Sequence, residues 1–469
     1  MSQHEPLHRH LRLFDATTLV AGSMIGSAIF IALSIMAHYV RTPGILLGLW
    51  IFGGLFTVVG AISCAELAAM FPHAGGQYVY LREAYNDLWA FLFGWTQLLV
   101  IQTGFIAAVA IAFAKYLGVL LPWLGEETVL LSVPLRALFR GQPTVFQINS
   151  AQLVACAIIA LLTIVNLRGV REGALVQNLF TVLKAAALVA LIVAGLVHFR
   201  SAEHFSPWLQ PIPGEKALQM GFLAGLAVAL SKALFAYDAW NTVTFVAEEV
   251  HDSPRTLPKA LLLGSLAVMA LYLLTNVAYL AVLPLSEIAA AREDRVAQLV
   301  ATTIFGPVGS TLVTAAILVS TFGCLNGLIL SGARVCYAMA REGLFFRPCA
   351  KLDARKTPAS ALVYQAGWSM VLSLSGSYSN LLTYTTFASV FFGGLMVAAL
   401  YRLRLTRPEM PRPYRCWGYP VTPALYLLIC VPFLIYVVQG DPGSTLLGVG
   451  LVVSGIPFYR VWKGRRRGA

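Results

Sequence analysis

Twelve apolar stretches follow one another through this chain with almost nothing left between them. They cover roughly residues 16–37, 43–65, 88–114, 150–167, 174–197, 218–247, 260–283, 305–333, 358–375, 381–401, 420–439 and 443–462. About 20 mostly apolar residues are what an α-helix needs to cross a bilayer core, where each backbone amide must be satisfied within its own segment. The pattern therefore predicts an all-α membrane protein of 12 transmembrane helices. Composition agrees: 58% of the 469 residues are hydrophobic and 12% charged, whereas a soluble domain carries about a quarter charged residues. Disorder, a collagen repeat and a coiled coil are excluded on the same ground. The polar tail before the first stretch is short, and that stretch is too long for a signal-peptide core, so it reads as a retained helix.

A formal net charge of +12 would suit a nucleic-acid surface. Its distribution argues otherwise. With the amino terminus inside, 23 of the 33 basic residues fall on the cytoplasmic side, eight outside and two within spans. That bias sets both termini in the cytoplasm and makes the charge topological. The seven cysteines show no metal-type spacing, and four of them sit inside apolar runs as small hydrophobes do.

Charges inside a span are costly and are functional candidates by default. Lys184 lies mid-way along the fifth stretch, about 15 Å from either end, too deep for its ammonium to reach water easily. It either ties two helices together or acts as a fixed cation where a transporter would otherwise hold a metal ion. Asp238 lies in the sixth stretch, three residues before Asn241. Both are poor interior helix formers, so this pair predicts a break at membrane depth, tolerated only where backbone lines a cavity. The Asp238 carboxylate either pairs with Lys232 or Lys184 or stands beside a substrate. The first stretch carries Gly22-Ser-Met-Ile-Gly26-Ser-Ala. Two glycines four apart read as a close helix contact or as an unwound segment whose N–H groups cradle a carboxylate. Interruptions in the first and sixth of ten helices fall at matching places in two five-helix halves, the pattern of a transporter's central site. No catalytic constellation, nucleotide motif or metal-ligand set occurs, and no cofactor is implied.

These residues carry a family resemblance. Ser23-Met-Ile-Gly-Ser-Ala-Ile-Phe30 resembles the first-helix signature of amino acid transporters in the amino acid–polyamine–organocation superfamily. Leu234 to Pro258 resembles the sixth helix and following loop of its L-type branch, the light chains of heteromeric transporters. Ala65-Glu66-Leu67, Gly75-Gly76-x-Tyr78-x-Tyr80, Arg341-Glu342-Gly343 and Arg407-Pro-Glu follow in the order of that branch, and Lys184 falls where it has a lysine. The resemblance implies a LeuT-like fold of two inverted repeats, 1–200 and 201–403, with helices eleven and twelve in 404–469. It implies sodium-independent exchange of amino acids and no enzymatic activity. Gly26, Ser27 and Ala28 would hold the substrate carboxylate. Met24, Ile25, Phe235 and Asp238 would meet its amine. Ala236, Tyr237, Asp238 and Asn241 would line the side-chain pocket, with Lys184 replacing a cation. Two positions depart from the pattern. Ala28 stands where a third glycine is usual, which matters only if a positive φ is needed there. Asp238 stands where a small residue is usual, resembling relatives that accept cationic amino acids; a partly desolvated carboxylate attracts ammonium or guanidinium groups. The loop over 115–149 lacks the cysteine that links light chains to a glycoprotein, so no disulfide-linked heavy chain is expected and the protein reads as a stand-alone prokaryotic type in a plasma (inner) membrane. A proton-coupled neutral amino acid importer is the alternative, and an amino-acid-binding membrane sensor a remote one.

Overall fold

The computed structural model describes residues 9–135, 144–375, 378–440 and 442–467. Its helices run α1 Leu13–Met24, α2 Ala32–Ala37, α3 Pro43–Met70, α4 Gln77–Ala84, α5 Asp87–Thr96, α6 Gln102–Leu120, α7 Ser150–Leu167, α8 Val170–Val197 and α9 Glu215–Met220. They continue as α10 Phe222–Tyr237, α11 Thr242–Phe245, α12 Ser253–Val282, α13 Leu285–Ala289, α14 Val296–Arg341, α15 Ala359–Ser375, α16 Tyr378–Thr406, α17 Val421–Gly440 and α18 Pro442–Arg467. Each apolar stretch of the sequence coincides with a helix or an interrupted pair of helices. Among the described residues, nine helices are long and apolar enough to cross a membrane, with α5 and α6 counted as one continuous helix over Asp87–Leu120. The other three stretches fall short because the first and sixth are interrupted and α15 spans only 17 residues.

The all-α expectation is corrected to mostly helical by one element. Within the 115–149 connection, β1 Val129–Leu135 pairs antiparallel with β2 Thr144–Asn149. Val, Leu and Ile spaced through both segments suit a pleated surface. A second difference is α14, which reaches Arg341, well beyond the apolar run that marked it, after a kink at Gly306 (φ 66°) and Pro307. Between α5 and α6 a π turn over Gln97–Ile101 buries Gln97, next to the buried Gln102 that opens α6; such turns are rare and cluster at functional places.

The core is set by the broken elements. Helices α8, α12 and α14 pack on α1, and α3, α16 and α17 pack on α10, whose residues from Ala227 to Tyr237 are all buried. On the face that carries both termini, the ends of the helices are stitched by ion pairs. Glu66, fully buried, accepts from Arg404 Nε and Nη2 at 2.9 and 2.6 Å, stands 3.4 Å from Arg412 Nε, and takes the Cys416 N–H at 2.6 Å. Glu249 meets Arg334 at 2.9 Å with both side chains at most 1% exposed. His10 and Leu11 donate their backbone N–H groups to Glu249 O at 3.0 Å each, and His251 N–H returns to Leu11 O at 2.8 Å. The lead into α1 is thereby tied to the turn after α11.

Removing one partner of such a buried pair strands the other charge and costs about 3–5 kcal/mol. Glu66→Gln is expected to lower stability by that amount in thermal unfolding of the solubilised protein, with Arg404→Lys retaining part of it; an unchanged midpoint in Glu66→Gln would remove the network from the account. Glu248, outside the membrane, supplies the pH dependence. Burial raises its carboxyl, but the hydrogen bond from His73, the charge of Arg341 and the Ala74 N–H outweigh burial and hold it below the ordinary 4.5. Because the folded value is lowered, the stabilisation is present above that ordinary value and is lost as pH falls through the folded one. Acid unfolding below pH 4.5 is expected to be shallower in Glu248→Gln than in wild type. Superimposable acid profiles would show the pair contributes nothing.

Candidate functional site

Helix α1 stops at Met24. Ile25 (ψ 88°) leaves helical space, Gly26 and Ser27 form the interruption, and a 3-10 turn over Ala28–Phe30 leads into α2. A helix end leaves four carbonyls without partners, and inside a membrane water does not supply them. Here side chains do. Tyr272 of α12 donates its hydroxyl to Met24 O at 2.7 Å, and Cys324 of α14 donates its thiol to Ser23 O at 3.0 Å. Lys184 Nζ, 1% exposed, donates to Gly22 O, to Ile25 O at 2.8 Å and to Ser320 O at 3.4 Å. An ammonium has three protons, and three carbonyls take them. That geometry leaves Lys184 no proton for Asp238, which removes one of the two structural pairings considered from sequence.

The two glycines serve close approach. A Cβ on Gly22 would lie 2.1 Å from Gln177 Nε2, and one on Gly26 would lie 2.9 Å from Cys324 Sγ. Gly22 thus lets α8 reach the carbonyls of α1, so the close-contact reading and the unwound reading both describe this segment. Ala28 is absent from the residues with positive φ; its methyl group therefore costs no backbone strain, and the departure from a third glycine is without consequence for the turn. No acceptor meets the Gly26 or Ala28 N–H groups among the described residues. Ile25 O already accepts from both Lys184 and Ser320 Oγ (3.3 Å), which uses both of its lone pairs.

The second interruption lies where Asp238 and Asn241 predicted it. Helix α10 ends at Tyr237, Asp238 is extended (ψ 178°), and Ala239 takes φ 67° before α11 begins. A left-handed non-glycine residue is uncommon and strained, and such residues gather at functional sites. The Asp238 carboxylate accepts the Ala239 N–H at 2.6 Å and a hydrogen bond from Ser389 of α16. Asn241 donates to Gln77 Oε1 at 2.9 Å, and Gln77 donates to Phe392 O at 2.7 Å, so α4 and α16 brace the break. Small polar cavities flank Asp238, one walled by Gln77, Gln97, Gln102 and Asn241, the other by Thr57, Tyr237, Trp240 and Tyr426.

Helix α6 joins the two interruptions. Its Val109 faces Gly26, and Phe105, one turn away, lines the Asp238 cavity and stacks on Phe235 with ring centroids 4.6 Å apart. Across from it, Trp50 of α3, Tyr237 and Tyr272 form an aromatic cluster with centroids 5.2–5.7 Å apart. Trp50 Nε1 and Tyr237 Oη are buried there without a hydrogen-bond partner among the described residues. Tyr237 and Asp238 line the same cavity, Phe105 and Val109 of α6 link Phe235 to Gly26, Ala28 and Ala236 are buried, and Lys184 bonds the end of α1. Sequence reasoning missed Trp50, Phe105, Tyr272 and Cys324, because an aromatic or a cysteine in an apolar run carries no local signal of its role.

Backbone strain at the second break gives a direct test. Ala239→Gly is expected to keep or slightly raise stability, and Ala239→Val to cost about 1–3 kcal/mol in thermal unfolding. Equal midpoints for the two variants would mean that Ala239 relaxes to negative φ.

A family model described as amino acid permease matches residues 11–456. Over 455 residues the chain is 30% identical to the large neutral amino acids transporter small subunit 2 of Homo sapiens, covering 97% of this chain and 80% of the relative. It is 28% identical to the b(0,+)-type amino acid transporter 1 of Mus musculus over 457 residues, covering 97% and 88%. The Asc-type amino acid transporter 1 of Homo sapiens matches at 28% over 467 residues, covering 98% and 83%. Two interrupted helices meeting at a buried, polar centre are what such a transporter needs, and no catalytic constellation competes for that centre. The chain belongs to the amino acid permease family, in its L-type branch, and is a multi-pass membrane transporter, not an enzyme.

Proposed function

We propose that this protein is a sodium-independent exchanger of L-amino acids, neutral and cationic. It would be built as LeuT-like inverted repeats over 1–200 and 201–403 with two further helices in 404–469. The observation that carries the reading is Lys184. Its ammonium fills the space between the end of α1 and Ser320 of α14 with three carbonyl contacts, oxygens of the kind that a hard metal cation takes as ligands. A fixed charge there does the ion's structural work without the ion's gradient. The substrate carboxylate sits on the N–H groups of Gly26, Ser27 and Ala28, and the amine on the Met24 and Phe235 carbonyls. Ile25 contributes through its contact with Lys184 more than through a free lone pair. The substrate side chain extends toward Tyr237, Asp238 and Asn241, where the carboxylate recognises a basic terminus.

The distribution of basic residues supports a reading with both termini on the cytoplasmic side of a plasma (inner) membrane. The human relative is, by its name, a small subunit. For this chain we keep a stand-alone reading. In support, all seven cysteines lie among the described residues, six buried and Cys156 partly so, none of them in the 115–149 loop.

Counterflow into proteoliposomes loaded with unlabelled amino acid tests the reading. Labelled arginine and leucine are both expected to exchange, at rates unchanged when choline replaces sodium. Asp238→Asn is expected to reduce arginine exchange at least tenfold, about 1.4 kcal/mol of lost recognition, while leucine survives. Equal loss of both substrates would make Asp238 structural. Uptake driven by a pH gradient into empty vesicles would replace exchange with proton coupling.

A further inference from the structure

The turn between α7 and α8, the lead into α1 and the connection from α14 to α15 enclose a hollow of about 330 Å³ on the face that carries the termini. Its walls bring together Arg168, Arg171, Arg355, Lys356 and His10. Two carboxylates also line it. Glu249 is already spent on Arg334, which leaves Glu172 as the carboxylate beside Arg168, Arg171 and Arg355. Several other arginines on this face do meet carboxylates: Arg82 meets Glu342, Arg341 meets Glu248, Arg407 meets Glu83 and Arg404 meets Glu66. The guanidinium groups of Arg168, Arg171 and Arg355 meet no carboxylate among the described residues. The N-terminus of α8 opens into the same space with no side-chain cap, adding the positive end of a 28-residue helix. Like charges gathered around one concavity repel one another, and an anion seated among them relieves that repulsion.

What lies next to the hollow decides the kind of anion. Arg171 is followed on its own helix face by Leu175, Leu179 and Val182, all more than half exposed. Arg168 is preceded by Ile164 and Leu161, also half exposed. At spacings of four, eight and eleven, and of four and seven, these residues continue directly from the arginines down the membrane side of α7 and α8. The arginines thus stand at the height where headgroups lie, above two apolar tracks that acyl chains cover. A hollow of about 330 Å³ has room for a phosphate ester.

We propose that this hollow seats the phosphate of an anionic phospholipid headgroup, with Arg168, Arg171 and Arg355 as its ligands and the acyl chains along α7 and α8. The site is separate from the substrate centre and independent of which amino acid is carried. Its occupant would tie the lead into α1 to α8 and to the α14–α15 connection.

Thermal unfolding of the full-length protein in detergent, with added phosphatidylglycerol or phosphatidylcholine, tests this. Phosphatidylglycerol is expected to raise the midpoint by several degrees and phosphatidylcholine not to. The triple variant Arg168→Gln, Arg171→Gln, Arg355→Gln should lose that response. A control with the same charge removed from the same face outside the hollow, Arg347→Gln, Lys351→Gln, Arg460→Gln, should keep it. Should the triple variant not fold, Arg171→Gln alone, at an exposed position, must show a diminished shift. An equal response in variant and control, or none in wild type, overturns the proposal in favour of diffuse attraction or no site. Inorganic phosphate reproducing the full shift overturns the lipid and leaves a free-anion site.

Discussion

The structure depends on the ammonium of Lys184. A helix that stops inside a membrane presents carbonyl oxygens to a medium that has no donors, each at a cost of several kcal/mol. One lysine, reached through the gap left by Gly22, quenches two of them and ties them to α14 through Ser320 O. Tyr272 and Cys324 take the remaining two. The cation also sits at the negative end of α1, where the helix dipole favours it. Without that set of donors the carbonyls at the end of α1 would be stranded in the membrane interior.

The second interruption is held by a different device. No cation is needed, because Asp238 turns its carboxylate onto the next N–H of its own chain and onto Ser389, while Asn241 and Gln77 relay a hydrogen bond to α16. The strain stored at Ala239 is offset by this bracing. The two breaks are therefore chemically unlike. One is pinned from outside by a lysine, and the other is pinned by its own side chains with α4 and α16 as backing.

Much of this was legible in the sequence. A lysine fifteen ångströms from water and an aspartate beside an asparagine in apolar runs are conflicts with their surroundings, and conflicts mark places where tertiary structure must compensate. The apolar stretches showed where helices run, and the small residues from Gly22 to Ala28 showed where one of them is interrupted. What could not be read were roles that depend on partners remote in sequence. Tyr272 acquires its role only by meeting Met24, 248 residues away, and Glu66 only by meeting Arg404, 338 residues away. The β1–β2 hairpin escaped because two short runs of β-branched residues in a connection resemble any loop until they pair. Asp238 remained ambiguous because a carboxylate's neighbours, and not its position, decide what it binds.

The backbone bonds between His10, Leu11 and Glu249, with the return from His251 to Leu11, join the strand-like lead of α1 to the turn beyond α11. This couples the starting segment of the first interrupted helix to the far segment of the sixth. Those two half-helices have a common handle on the termini side, so a swing of one drags the other unless three main-chain bonds are surrendered first. Alternation between the two sides of the membrane would then proceed by paired rotation of both inner segments as a single lever, with the breaks at Gly26 and Ala239 as its two pivots.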